Sequence, residues 1–175
     1  KEDLCREDFN AIPFINADGY HSKTIAYSIW HIFRIEDIVA HTVITEDEQV
    51  FFTGNYQVRI NSPIITTGNE LVKQQIADFS KQLNLEELYS YIFEVRESTE
   101  KILERFSYDE LKWKIPDERK GYLKSLNVVN CDEKAIWLID YWCSKDIRGL
   151  IQMPFSRHWI MHTEACLRIK NKMHS

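Results

Sequence analysis

His158 and His162 stand four residues apart in the string H-W-I-M-H. In a helix that spacing stacks two imidazoles on one face, about one turn apart. Neutral imidazoles placed so can share one divalent metal. The string is not the zinc-protease signature H-E-x-x-H: Trp159 stands where such a protease carries its catalytic Glu, so no general base for peptide hydrolysis is in place. A third ligand must come from elsewhere, and His31 is the best candidate. In S-I-W-H-I-F-R-I-E it lies within an otherwise apolar stretch, where a lone imidazole needs a partner to offset its buried polar atoms.

Neighbouring residues carry two readings each. Trp30 and Trp159 adjoin the ligand candidates, as packing residues or as walls of a pocket. Arg34, one turn from His31, either holds an anionic substrate or stands in solvent. Cys166 continues the spacing, but two turns beyond His158 is too far to share the metal, and it reads as a packed thiol. His21 reads as a loop residue, His41 as a helix-end residue and His174 as part of a frayed tail. The trio itself also has a plain alternative, with the i, i+4 pair as surface or packing residues and His31 as a hydrogen-bonded core histidine.

Other chemistries lack their residues. The chain has neither G-x-G-x-x-G nor G-x-x-x-x-G-K, its five glycines do not cluster, and no G-x-S-x-G occurs. Paired Glu-x-x-His motifs for a di-iron bundle are absent too. Cys5, Cys131, Cys143 and Cys166 form no C-x-x-C, which excludes a zinc ribbon or redox motif and leaves four reduced thiols of a cytoplasmic protein.

The elements that must position the histidines are helices. From Ser22 to about His41, Ile25, Ile29, Ile32, Phe33 and Ile35 recur at three- and four-residue steps, interrupted by Arg34, Glu36 and Asp37, which predicts a long amphipathic helix. Pro13 and Gly19 mark the loop before it, and the stretch from Lys1 to Phe9 reads as the tail of an earlier helix. Residues 45–67 read as a long loop with a short helical turn. Capping pairs Thr67 with Glu70, Asn84 with Glu87, Ser107 with Glu110 and Asn130 with Glu133 predict helices over 69–82, 85–106, 108–115 and 132–143. Ser144 is expected to cap a short helix over 145–151. Pro154 suits the first turn of a last helix reaching about Lys172, where Arg168, Lys170 and Lys172 face the negative end of its dipole.

Length and composition fit this reading. A chain of 175 residues with 44% apolar and 28% charged residues reads as one all-α domain over 1–175, large enough to fold without a structural metal. The net charge of −5, with no segregated basic face, disfavours nucleic acid as a partner. No apolar run is long enough to span a membrane, and no secretory signal opens the sequence. The start at Lys1 without Met implies processing or a start inside a longer product.

The strings T-I-A-Y-S-I-W-H-I-F-R-I-E-D-I-V (24–39) and F-S-R-H-W-I-M-H-T-E-A (155–165) together resemble the DinB/YfiT-like metalloenzyme superfamily. That resemblance implies a four-helix bundle with one His on the second helix and H-x-x-x-H on the last. His31, His158 and His162 match those places as a three-histidine site for a divalent metal such as Zn, Ni or Mn. Helix 85–106 with S-Y-D-E-L after it matches the third bundle helix and its exit. Two features depart from the family: the first bundle helix is shortened or incomplete before Pro13, and an insertion over 107–150 lengthens the path to the last helix. The resemblance implies a metal-dependent enzyme with a small-molecule substrate, a low-molecular-weight-thiol S-transferase or a related thiol-dependent isomerase, and water activated at the same metal would give a hydrolase-like activity instead. A non-catalytic dimeric metal-binding or scaffold bundle is the other class of function. A shortened first helix leaves apolar stripes uncovered, so a homodimer is expected.

Overall fold

The computed structural model describes residues 4–175, and these are all-helical, with a single antiparallel bridge pair between Lys114 and Asp146. Residues 1–3 of the expected N-terminal helix tail lie outside the described residues. The first described element is the short helix α1 (Arg6–Asn10). The next are a 3-10 turn (Tyr20–Ser22), α2 (Ile25–Asp37) and a π-helical continuation of α2 (Ile38–Thr45). After them come α3 (Val50–Thr53), α4 (Tyr56–Arg59), α5 (Gln74–Gln82), α6 (Leu85–Leu103), a 3-10 turn (Glu110–Lys112), α7 (Glu118–Ser125), α8 (Glu133–Cys143), α9 (Ile147–Gln152) and α10 (Arg157–Met173). None of these helices is long and apolar enough to cross a membrane.

The long helix at the centre begins at Thr24, whose hydroxyl accepts the N–H of Tyr27 at 2.9 Å. Its sequence implies a solvated charged face, and the structure has none. Every residue from Ile25 to Asp37 is buried except the half-buried Ile29. A helix covered on all sides lies in the middle of a fold, and α2 packs against α1, α3, α5, α6 and α10. Two apolar cores meet along it. Tyr27, Trp30 and Phe33 enter a core with Phe51, Phe79, Tyr91 and Ile169. Further along, Ile35, Ile38, Val39 and Val43 enter a second with Leu123, Leu138, Ile139 and Trp142. Residues 107–150, which read as an insertion in the sequence, thus supply most of the second core.

Buried charge on α2 is met by fixed partners. The Asp37 carboxylate accepts the N–H groups of Val50 and Phe51 at 2.9 and 2.8 Å and the Tyr91 hydroxyl at 2.8 Å, and its Oδ1 lies 2.9 Å from His41 Nδ1. Arg34 is fully buried rather than solvated; it donates to the Ile65 carbonyl at 2.8 Å and to Gln49 at 2.6 Å, and its guanidinium lies over the Phe51 ring. Glu36 pairs with Arg96 of α6 at 3.1 Å.

Several boundaries differ from the sequence expectation. Helix α5 starts at Gln74, not 69, because Thr67 and Gly68 turn their carbonyls toward α2 and Lys73 takes a positive φ of 46° at the N-cap. Asn84 does cap α6, accepting from Glu86 and Glu87. Ser107 and Glu110 exchange bonds as expected, yet they close only a 3-10 turn rather than a helix over 108–115. Helix α7 falls where the capping pairs predict none. Asp132 and Asp146 cap α8 and α9 in place of Asn130 and Ser144. Pro154 lies in the turn before α10, which starts at Arg157. His41 is buried mid-element, and His174 sits 3.4 Å from Asp8 rather than in a free tail. All four thiols are free, as expected.

Removing the Asp37 carboxylate strands two backbone donors and a hydroxyl, and takes the counter-charge from the buried Arg34 guanidinium 3.6 Å away. Asp37→Ala is therefore expected to cost about 3–5 kcal/mol, the scale for breaking a buried charged network. Asp37→Asn, which keeps one acceptor oxygen, should cost less. Urea unfolding followed by far-UV circular dichroism gives both values; an Asp37→Ala cost below about 0.5 kcal/mol, the range of ordinary surface substitutions, would remove this anchor from the account.

Candidate metal centre

The structure brings His31, His158 and His162 together. One nitrogen from each lies within 4.8 Å of the others, and all three residues are buried. Their ring centroids are 5.1, 5.0 and 4.6 Å apart. Nitrogens each about 2.1 Å from a common tetrahedral ion lie about 3.4 Å apart, so the trio would draw together by up to about 1.4 Å on binding one. The group could hold a metal.

Each ligand is placed by a different device. His158 and His162 share one face of α10 through their i, i+4 spacing. His31 comes from α2, and its orientation is set across the chain: Nδ1 lies 2.6 Å from the Thr67 carbonyl. A carbonyl only accepts, so Nδ1 carries the proton and Nε2 keeps its lone pair for a ligand, the arrangement typical of metal-bound histidines. Tyr27 stacks on the His31 ring at 5.3 Å and donates its hydroxyl to the next carbonyl, Gly68, at 2.9 Å. Gly68 has φ of +78°, and a Cβ there would meet Trp30 at 2.8 Å, so a glycine is required where the 67–68 carbonyls meet α2. Tyr20 closes the other side, edge-on to His162 at 4.7 Å.

The electrostatics favour neutral, ligating imidazoles. Burial, and then the proximity of His158, pushes His31 down to about 3. Burial alone takes His158 to about 4, and burial followed by the charges of His31 and His158 drives His162 down as well. The Nδ1 atoms of His158 and His162 are buried with no hydrogen-bond partner among the described residues. Unpaired buried nitrogens of this kind call for a ligand or an ion, so the donor set fits a divalent metal.

Two chambers adjoin the trio and share Tyr20, His31 and Asn69 as walls. One, of about 420 Å³, is polar and is lined also by Lys23, Tyr27 and His162. The other, of about 230 Å³, is lined by Trp137, Leu138, Tyr141, Trp142 and His158. Lys23 is partly desolvated, and burial lowers its proton affinity. Asn69 Oδ1 is buried without a partner among the described residues.

The other sequence candidates lie elsewhere. Trp30 is fully buried in the first core against Phe79, at 4.6 Å. Arg34 ties α2 to the 49–65 stretch. Trp159 packs on Phe33 and under the Arg96 guanidinium. Sequence reasoning missed Tyr20, Lys23, Asn69 and the aromatic group of α8. Only Trp137, Tyr141 and Trp142 left a signal, as aromatic residues at helical spacing in 132–143, and that pattern also describes a core stripe.

No family model matches this chain, and no curated protein or solved structure matches it.

The neutral histidines make the metal-free fold acid-sensitive. In the unfolded chain each takes up a proton below about pH 6.5, whereas the folded His31 and His158 resist protonation to about 3 and 4. The unfolded state then binds more protons, so stability drops as the pH is lowered through that window, by about 1.4 kcal/mol per pH unit for each histidine. Urea midpoints of chelator-treated protein between pH 7.5 and 4.5 should show this slope. The triple variant His31→Gln, His158→Gln, His162→Gln should flatten it; equal slopes in the two proteins would contradict the burial of neutral imidazoles.

Proposed function

We propose that this chain is a divalent-metal-dependent enzyme for small molecules, a low-molecular-weight-thiol S-transferase or thiol-dependent isomerase of the DinB-like type. The observation that carries this reading is the trio itself: three buried, neutral imidazoles converge where two chambers meet. A structural zinc site is closed by four protein ligands, whereas three leave a position for substrate. The resemblance of 24–39 and 155–165 to a three-histidine bundle family supports the same assignment.

His31, His158 and His162 would hold the ion. Bound there, Zn, Ni or Mn would supply a Lewis-acid charge that lowers the proton affinity of a thiol or water. The rest falls to the chain's own residues. Thr67 keeps the His31 proton on Nδ1. Lys23, in the polar chamber, attracts an anionic group such as a carboxylate. Asn69 Oδ1 accepts a hydrogen bond from a substrate donor at the junction. Trp137, Tyr141 and Trp142 cover an apolar portion and keep water from it. The substrate class this describes is a small electrophile with an anionic end and an apolar or aromatic body.

Elemental analysis of protein purified without a His tag should find near-stoichiometric divalent metal. His31→Ala or His162→Ala should reduce it to traces while far-UV circular dichroism stays helical; His21→Ala should retain it. Folded wild-type protein that takes up no Zn, Ni or Mn after chelation and reloading would end the metal reading. With metal loaded, a panel of thiols and carboxylate-bearing electrophiles should reveal conjugation or isomerisation. Lys23→Met should then raise KM about tenfold, the scale of one charge-assisted hydrogen bond of about 1.5 kcal/mol. No thiol-dependent turnover across the panel would remove the enzymatic part and leave the metal site.

A further inference from the structure

A second constellation, sharing no residue with the histidine trio, opens on another groove. It consists of Asp37, His41 and Ser98. The groove, about 750 Å³ in volume, lies where the π-helical segment, α3 and α6 meet, and His41, Val50, Ser90, Glu94, Ser98 and Lys101 line it. Asp37 is wholly buried, the His41 side chain is 6% exposed, and Ser98 is half-buried.

The proton positions follow from the partners. His41 Nδ1 lies 2.9 Å from Asp37 Oδ1 and 3.1 Å from the Asp37 backbone carbonyl. Both oxygens only accept, so Nδ1 carries the proton. Nε2 then holds the lone pair, and it lies 2.8 Å from Ser98 Oγ, whose hydroxyl donates to it. Asp37 is held in place on its other sides by the N–H groups of Val50 and Phe51 and by the Tyr91 hydroxyl. Ser90, two turns earlier on α6 and lining the same groove, donates back to the Glu86 carbonyl, the ordinary fate of a helical serine. Ser98 turns instead to His41.

We propose that Ser98 is a nucleophile, with His41 as its general base and Asp37 as the residue that orients the imidazole, and that it accepts acyl groups from small esters entering this groove. Hydroxyl, imidazole and buried carboxylate stand in the relation that activates a serine in unrelated folds. His41 lies on a widened π turn, a helical irregularity frequent at functional sites. Burial lowers the proton affinity of His41, but the hydrogen bond and charge of Asp37 outweigh it and hold the imidazole above its ordinary value, which suits a base at neutral pH.

In the first step a bond forms between Ser98 Oγ and the acyl carbon, and the bond from that carbon to the leaving alcohol's oxygen breaks. The proton passes from Oγ to His41 Nε2 and then to the departing alkoxide. Water next takes the acyl group, its proton following the same route, which restores Ser98 and releases the carboxylic acid. Lys101, one turn beyond Ser98 on α6, lines the groove with its ammonium paired to Glu97 at 2.7 Å. Glu48, Glu94 and Glu97 also line the groove, so neutral or cationic esters are favoured over anionic ones.

The test uses a neutral alkyl fluorophosphonate, in which Ser98 Oγ displaces fluoride at phosphorus, read by intact-mass spectrometry and peptide mapping. Wild-type chain should gain one adduct, mapped to Ser98. Ser98→Ala should abolish it, Ser90→Ala should leave it unchanged, and His41→Gln should slow it about 100-fold or more, the lower range of general-base catalysis. Circular dichroism establishes that each variant is folded. Should His41→Gln fail to fold, the wild-type map decides alone: no adduct under prolonged excess of probe, or an adduct on a different residue, overturns the proposal. So does labelling of Ser98 at the wild-type rate in folded His41→Gln.

Discussion

A helix buried on every face must meet the charges it carries from within the protein, and α2 carries Arg34, Glu36 and Asp37 beside the buried His31. An unpaired charge at these depths would cost several kcal/mol, a large part of a domain's net stability. The surrounding chain is arranged around these needs. Asp37 draws the start of α3 against α2 by taking its first two N–H groups. Arg34 draws in the Ile65 carbonyl, and His31 the Thr67 carbonyl two residues later. The irregular stretch from 46 to 73 is therefore clamped along α2 by buried polar bonds, and it can do without a regular hydrogen-bonded ladder of its own.

That clamp explains which parts of the fold are legible in the sequence. Helices with local signals are readable: Asn84 caps α6, and of the stripe Leu88, Ile92, Val95, Thr99, Ile102 and Phe106 that its spacing implies, all are buried but the half-buried Ile92 and Phe106. Thr67 with Glu70 carries an equally good local signal, yet its backbone is taken by His31 and the helix begins seven residues later. A capping motif reports only what its own residues can do, and a long-range acceptor role at the same backbone is invisible to it. The burial of Arg34 is hidden for a related reason. A charge beside apolar residues is usually solvated, and only the distant Gln49 and Ile65 offset its loss of water.

The candidate site divides along the same line. His158 and His162 are legible because four residues of helix set their separation whatever surrounds them. His31 is legible as an anomaly, a polar ring in an apolar run. The chamber walls have no such signature. Tyr20 comes from a 3-10 turn, Asn69 from the loop after Gly68, and Trp137 and Tyr141 from α8, more than a hundred residues beyond Lys23. They share one place only because α10 and α8 both pack near α2, and nothing in their spacing encodes that meeting. Ser98 and His41 are hidden likewise, since a half-buried helical serine and a histidine near a helix end are both common.

The histidine trio is also costly where it stands. Three imidazoles share a desolvated space, burial lowers the proton affinity of all three, His158 lowers that of His31 further, and His31 and His158 lower that of His162; two of their nitrogens lack partners among the described residues. Leucine or phenylalanine would fill this volume without orphaned polar atoms, so stability alone does not account for histidine here. Natural chains tolerate such a local loss where a function uses it. Of the three rings, the one from α2 is fixed most firmly, by Thr67 below and Tyr27 stacked above. The two on α10 can adjust through their own rotations. A site with one firmly held and two adaptable imidazoles could hold an ion, and its two unpaired buried nitrogens are what a well-packed core avoids.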